Sequence, residues 1–327
     1  MKNNLQFCLV GRGSIGTRHL KNLKFLSYSD IIAFSEFSDD NKDAEFKQKY
    51  GIETFHSLER IKGKKPDAFV IANPTSKHIE FAMIAANINC HIFMEKPLSH
   101  NLNGLEELKM NLFRKGLVFL LANNFRFHPV LLCIKSLIKN NEFGTIYFAR
   151  IQVGQYLPDW HPWEDYRRGY SARSELGGGV VLTLQHEIDY AYWLFGKYKN
   201  IKSYVKKISN LEIDVEDVAS IIAEMESGQL LEIHLDYLQR PSKRTIQIQG
   251  SKGSIDYCFG DRYLQFYDFE QQKYKMLLDL TNYDNNQMYI DAMKHFIKCI
   301  SGEEKPRCDL EDAIYILKTC LEIKKNL

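Results

Sequence analysis

The chain has no C-x-x-C pair, although it carries seven cysteines in 327 residues. An odd number of cysteines without metal-ligand spacing argues against a disulfide framework and against a zinc or iron–sulfur site. Most of the thiols lie in apolar runs (Cys8, Cys133, Cys258, Cys320), which suits buried thiols in a reducing cytoplasm. An excess of one charge is also missing. Lys and Arg total 43 against 41 for Asp and Glu, a net charge of +2, so neither a nucleic-acid footprint nor an acidic tail is present. The cluster Lys62, Lys64 and Lys65 reads as decoration of a loop before a strand. No apolar stretch approaches the length that spans a bilayer, and the first strand candidate starts too early to leave room for a signal peptide. Internal repeats and low-complexity tracts are absent. These gaps leave a soluble cytoplasmic protein, without a metal or membrane or nucleic-acid partner, and long enough for two domains.

What the sequence does have is a strand-like run, Phe7-Cys8-Leu9-Val10, running straight into Gly11-Arg12-Gly13-Ser14-Ile15-Gly16 and then a helical pattern from Thr17 to Phe25. A dinucleotide pyrophosphate needs that order of parts. Gly11 permits the tight turn, Gly13 lets the backbone approach the phosphates, and Gly16 lets helix and strand pack closely. The helix N-terminus adds free N–H groups and a positive dipole end. A second apolar run, Ile31–Ser35, ends at Glu36, about 20 residues past the last glycine, where an acid can hold the ribose hydroxyls. Phe37, Ser38, Asp39 and Asp40 follow, with no Lys or Arg to meet a 2′-phosphate, which favours NAD over NADP.

Strand candidates at Gln6–Val10, Ile31–Ser35, Ala68–Ala72, His91–Met94 and Val118–Ala122 alternate with helical patterns at Thr17–Phe25, Asn41–Tyr50, Lys77–Asn87 and Asn103–Lys115. That alternation predicts a parallel, doubly wound sheet over residues 1–123. Residues 124–327 read differently. A helix over Pro129–Ile138 precedes strands at Ile146–Val153, Ile201–Ile208, Val218–Glu224, Leu230–Tyr237, Arg244–Gln249 and Ser254–Cys258. Strands in succession predict a mainly antiparallel sheet open on one face. Helical patterns at Gly179–Phe195, Asn286–Ile300 and Leu310–Lys325 complete an α/β protein of two domains.

Several ordered motifs make the chain resemble the Gfo/Idh/MocA oxidoreductases, the family of glucose–fructose oxidoreductase and inositol dehydrogenase. They are the glycine turn with Arg18-His19; Pro66-Asp67-Ala68 leading to Asn73-Pro74-Thr75 and His78; Glu95-Lys96-Pro97; Asn124-Phe125-Arg126-Phe127-His128-Pro129; and Gly177-Gly178-Gly179 ahead of His186, Asp189 and Trp193-Leu194-Phe195-Gly196. The resemblance spans nearly the whole chain. It implies an N-terminal Rossmann domain and a C-terminal α/β domain whose open sheet often serves oligomerisation, hence a homodimer or homotetramer. It also implies NAD(P)-dependent redox chemistry on sugars, cyclitols or nucleotide sugars. The segment Leu157–Arg167 is similar to family members acting in surface-polysaccharide sugar pathways.

Oxidising a secondary alcohol requires a base and a group to steady the developing alkoxide, while nicotinamide takes the hydride. Lys96, at a strand end beside the expected cleft, can hold the reacting oxygen, or it can simply pack against a loop. His186 is the candidate base, at the point where the family places its catalytic histidine. On one continuous helix, Thr183, His186, Asp189 and Tyr190 share a face. The family's common pattern has an aspartate about four residues before that histidine; here Thr183 stands three before it, so Thr183 or Asp189 must support the ring. Tyr166 or Tyr170 are alternative bases. The cofactor set is Gly11, Arg12, Gly13, Ser14, Ile15, Gly16, Glu36, Asn73, Pro74, Thr75, His78, Glu95, Lys96 and Asn124. The substrate set is Lys96, Arg126, Trp163, Tyr166, Arg173, Thr183, His186 and Tyr237, with Arg126 equally suited to an interdomain salt bridge. The density of Trp, Tyr and Arg over residues 158–173 suits a nucleotide sugar, because aromatic faces stack on rings and Arg forks fit diphosphate. Two alternatives stand beside a dehydrogenase: a transient-oxidation epimerase or dehydratase that keeps its NAD, and a dinucleotide-binding regulator without turnover.

Overall fold

The structure, a computed structural model, describes residues 5–325. The chain runs through β1 (Phe7–Val10), α1 (Ser14–Phe25), β2 (Ile31–Phe34), α2 (Asp40–Tyr50), β3 (Thr54–Phe55), α3 (Leu58–Lys64), β4 (Ala68–Ile71), α4 (His78–Asn87), β5 (His91–Met94), α5 (Leu105–Lys115) and β6 (Phe119–Leu121). These strands form one parallel sheet in the order β3-β2-β1-β4-β5-β6. Every residue of β1, β2 and β4 is buried, as a sheet covered by helices on both faces requires. The strand order reverses between β1 and β4, and a doubly wound sheet binds its ligand in the crevice beyond the strand ends at that reversal. The Gly11 turn and the Asn73 turn both lie there.

Next come α6 (Pro129–Lys139), β7 (Ile146–Gly154), the short helix α7 (Val180–Thr183), α8 (His186–Phe195), β8 (Tyr198–Lys206), β9 (Val218–Met225), β10 (Leu230–Asp236), β11 (Lys243–Gly250), β12 (Gly253–Cys258), β13 (Tyr263–Asp268) and β14 (Lys273–Asp279). An eight-stranded sheet in the order β14-β13-β12-β11-β7-β10-β9-β8 results, antiparallel except where β7 and β10 run parallel. On one face, cross-strand pairing sets Lys202, Ile222, Glu232, Arg150 and Gln247 in a row, with Arg150 Nε 2.9 Å from Glu232 Oε2. Tyr204 (73% exposed) and Ile222 (55% exposed) leave that face partly apolar and open.

Helices α9 (Gln287–Ile300) and α10 (Leu310–Lys324) close the chain. The contacts group residues through Asn124 with Asn285–Leu317 in one unit, and Phe125–Asp284 with the chain from Lys318 in the other. A single division after residue 123 misses that return. Within the first unit Phe296 of α9 packs edge-on against Phe93 of β5 (5.5 Å), Arg18 lies over the Tyr289 ring (4.5 Å), and Asn286 Nδ2 donates to Asn22 Oδ1 (2.9 Å). Sequence periodicity marks α9 as amphipathic but is silent on which surface it covers.

Other differences are local. β3 and α3 occupy a stretch read as loop, with Lys62 and Lys64 in the last turn of α3, where cations suit the helix dipole. The edge strands β13 and β14 also lie outside the expected set; β13 alternates over Tyr263–Phe266, whereas no residue of β14 is fully buried. The helix expected over Gly179–Phe195 is interrupted: α7 ends at Thr183 and α8 begins at His186, so the shared face of Thr183 with His186 does not follow from helix geometry. Among the described residues, no helix is long and apolar enough to cross a membrane.

Helix α1 meets β1 and β4 at backbone distance. A Cβ on Gly16 would stand 2.1 Å from Gly11 O, and one on Gly11 2.5 Å from Ala72 O. Both neighbours are backbone and cannot swing away. Gly16→Ala should therefore lower stability by about 1–3 kcal/mol, the usual range for overpacking, whereas Gly13→Ala should leave it nearly unchanged. Urea unfolding followed by circular dichroism checks both.

Candidate functional site

The glycine turn begins where β1 ends. Gly11 has φ +98°, a region that L side chains rarely adopt, and Gly13 caps α1 without a side-chain hydrogen bond. A Cβ on Gly13 would meet nothing within 4 Å, so open space lies over the first turn of α1, where Ser14 is exposed and Ile15 partly so. No acid stands in that turn. On the facing turn after β4, both polar atoms of the Asn73 side chain are buried without a hydrogen-bond partner. An amide left in this state is costly unless a ligand completes it. The bare cap and the waiting amide fit a dinucleotide, which Gly11, Gly13, Ser14 and Asn73 would hold.

The remaining first-unit candidates divide into reachable and structural groups. His78 is buried, with Nδ1 2.8 Å from Pro97 O and Nε2 2.9 Å from Asn73 O. Burial pushes its pKa down, and a neutral ring can donate to just one of those carbonyls. It ties the β4 turn to Pro97 and offers no surface to a cofactor. Thr75 is likewise buried, behind Pro74. Arg12 is turned toward Asp43, whose carboxylate also meets His56, and it reaches Thr54 Oγ1 (3.2 Å). Glu36 is exposed at the end of β2, with Lys77 Nζ 3.3 Å away. Glu95 is buried, with Oε1 2.7 Å from His19 Nε2, while Oε2 accepts from Lys96 N (3.3 Å). Two bonds to its carboxylate thus fix the strand end from which half-buried Lys96 projects. Asn124 is buried, and its Nδ2 has no hydrogen-bond partner.

In the second unit the glycine triplet serves close packing. A Cβ on Gly178 would lie 2.3 Å from Tyr170 O, and one on Gly179 2.3 Å from Glu216 Oε1. Buried Glu216 takes the amides of Val180 through its backbone O (3.0 Å) and of Val181 through Oε1 (3.4 Å), and Lys324 Nζ lies 3.1 Å from that oxygen. His186 opens α8, nearly buried, with its ring 4.9 Å from that of Phe125. Phe125 also stacks on His128 (5.9 Å, 14° between planes) and carries the Arg244 guanidinium at 4.3 Å. Arg244 Nε lies 2.8 Å from Oε1 of fully buried Glu187, and Tyr190 OH donates to the same oxygen (3.4 Å). Burial raises the Glu187 pKa and Arg244 opposes that rise. The other carboxylate oxygen, Oε2, is buried without a hydrogen-bond partner.

Two substrate candidates are structural instead. Arg126 (1% exposed) forks onto Asp189 (0% exposed) through Nε (3.1 Å) and Nη2 (2.7 Å), an ion pair inside the second unit. Tyr237 is fully buried, and its hydroxyl donates to Ser171 O (3.3 Å). That leaves no surface on Tyr237 for a ligand. Trp163 (77% exposed) projects into solvent, and Tyr166 OH accepts from Glu212 N (3.3 Å). The arginines of this loop are paired: Arg167 with Asp165 and Glu212, Arg168 with Asp165, Arg173 with Glu175, and the nearby Arg240 with Asp159. Sequence reasoning missed Glu187, Glu216, Lys77 and the His19–Glu95 bond. The one signal for Glu187 was a pair of acids, Glu187 and Asp189, set in an otherwise apolar helix.

Removing one member of the Arg126–Asp189 pair strands a buried charge. Arg126→Met should therefore cost about 3–5 kcal/mol in urea unfolding, and Arg126→Met with Asp189→Leu should recover most of it. The buried histidines set a pH dependence as well. Burial lowers the pKa of His78 and, together with Arg244, pushes His128 down from 6.5 to about 4. Between those values the unfolded chain binds the extra protons, so stability should fall as pH drops from 6.5 toward 4. His128→Asn, which keeps the helix cap, should flatten that slope in unfolding curves measured across pH.

Comparison with known proteins matches two family models to this architecture. Residues 5–123 match the oxidoreductase family with an NAD-binding Rossmann fold, and residues 131–256 match the Gfo/Idh/MocA C-terminal domain. A myo-inositol 2-dehydrogenase from Thermotoga maritima is 27% identical, with 98% of this chain and 95% of that protein covered. The WlbA dehydrogenase of Bordetella pertussis, solved with NADH and UDP-GlcNAcA, superposes with a TM-score of 0.83 at 19% identity over 99% of this chain and 96% of that one. A levoglucosan dehydrogenase solved with NADH gives 0.87 at 18% identity, covering 99% and 97%. At such identities the two structures speak for the fold. The chain belongs to the Gfo/Idh/MocA family of oxidoreductases, and its N-terminal part is the family's NAD-binding Rossmann fold.

Proposed function

We propose that this protein is an NAD-dependent dehydrogenase that oxidises a ring hydroxyl of a sugar or cyclitol, or reduces the corresponding ketone. The observation that carries the reading is the strand reversal of the first unit, where an uncapped helix start and the unbonded Asn73 amide lie at one crevice and Lys96 projects from the next strand end. Bound NAD supplies the hydride acceptor. Lys96 holds the reacting oxygen and favours its deprotonated form, and His186 receives the proton. The family membership and the dehydrogenase names among the relatives support the same assignment.

A nucleotide-linked sugar is the finer reading. Its support is the Trp, Tyr and Arg content of residues 158–173 and the UDP-sugar bound to the WlbA structure. A diphosphate would have to displace the loop carboxylates that now hold these arginines, whereas a free polyol would not. The protein acts in the cytoplasm, a reading supported by seven free thiols, and it assembles as a homodimer or homotetramer through the open face bearing Tyr204 and Ile222.

Screening free sugars, cyclitols and UDP-sugars for NADH formation separates the substrate classes. Product turnover without net NADH would point to a transient-oxidation epimerase instead, and NAD binding without any turnover to a regulator. Lys96→Ala should lower kcat by about 10²–10⁴-fold while NAD affinity changes little. Undiminished turnover would remove Lys96 from the chemistry. His186→Ala should abolish the basic-group limb of the pH–rate profile, and an unaltered profile would dismiss it as the base.

A further inference from the structure

The end of β2 has no cation in its own sequence, yet the fold supplies one. Lys77 closes the short turn Thr75–Lys77 after β4, and its Nζ lies 3.3 Å from Glu36 Oε1. β2 and β4 are the two strands that flank β1, so this ion pair joins the turns on either side of the glycine loop. Both side chains are partly exposed, 42% for Lys77 and 34% for Glu36, and such a pair is held weakly enough to be exchanged for a ligand contact. Lys77 also meets Glu80 at 3.0 Å along the helix that follows. The other cations near this edge are occupied: Arg12 by Asp43, which also engages His56, and Lys42 by Asp39.

From this arrangement we infer that Lys77 is a specificity-determining residue of the cofactor site, a 2′-phosphate ligand held in check by Glu36. The inference rests on Glu36 lying beside the adenosine ribose, as the Rossmann arrangement implies. With Glu36 ionised, the local charge of Glu36, Lys77 and Glu80 is net negative. A phosphate carrying about −1.5 to −2 charges is repelled there, while ribose hydroxyls are accepted. Neutralising Glu36 alone leaves Lys77 opposed only by Glu80, and a phosphate offers an ammonium more charge and more acceptor oxygens than one carboxylate does. Sequence order conceals the device, because Glu36 and Lys77 are brought together only by the strand order.

The test measures NAD⁺ and NADP⁺ affinity of the full-length protein by calorimetry, without substrate. Glu36→Gln should weaken NAD⁺ binding and tighten NADP⁺ binding by about tenfold or more, the scale of one charge-assisted contact. Adding Lys77→Met to Glu36→Gln should return NADP⁺ affinity to the wild-type level, and Lys77→Arg in its place should keep the gain. A Glu36→Gln protein that binds NAD⁺ but gains nothing for NADP⁺ overturns the role of Lys77. So does a gain that survives Lys77→Met. Failure of the wild-type protein to bind NAD⁺ would overturn the cofactor site itself, and this assignment with it.

Discussion

Three backbone segments meet where side chains are forbidden, and the cofactor half of the molecule depends on that meeting. Gly11 lies against the carbonyl of Ala72, and Gly16 lies against the carbonyl of Gly11. Their closeness draws α1 down onto β1 and β4, so the free N–H groups of the helix start face the crevice at the strand reversal. The same approach sets the Asn73 turn beside the Gly11 turn, and there the Asn73 amide stays unbonded. His78 then fixes Asn73 from behind through its carbonyl and ties it to Pro97, next to Lys96. A steric constraint at two glycines is thus carried along the strand ends to the lysine assigned to the chemistry.

In the second unit buried charge pairs act beside the close backbone packing of the glycine triplet. The segment from Gly179 to Phe195 is contacted by three buried carboxylates, Glu187, Asp189 and Glu216, each met by a cation: Arg244, Arg126 and Lys324. Buried ion pairs are poor sources of stability, because desolvation offsets most of the attraction. Their value here lies in geometry. Glu216 holds the start of α7, Asp189 fastens α8 to the Arg126 turn, and Glu187 orients Arg244 over Phe125, the ring packed against His186.

The first sheet was legible because parallel strands buried on both faces appear as short apolar runs, and the glycine turn declares its chemistry in order. The antiparallel strands near the centre of the second sheet were legible from alternation. Its edge hairpin was not, since β14 buries no residue fully, nor was the return of α9 to the first unit, because amphipathicity names a face but no partner. At the site, residue type misled where burial decides. Arg126 and Tyr237 are the residue types that bind sugars, yet the fold spends one on Asp189 and the other on Ser171. Lys77 was invisible for the opposite reason, since its significance comes from a neighbour 41 positions away.

The threonine at position 183 gains a physical account from the same charges. The family's common pattern sets an aspartate shortly before the histidine. Here the helical segment already carries Glu187 and Asp189, each balanced by one arginine, and the Glu187 carboxylate has an oxygen without a partner. A further buried carboxylate at position 183 would need a cation of its own, whereas the buried Thr183 hydroxyl brings no charge into this segment. Position 183 and the two ion pairs therefore form one balanced set, and introducing the aspartate alone would unbalance it. His186 is placed within that set by ring packing on Phe125 and by its position at the start of α8.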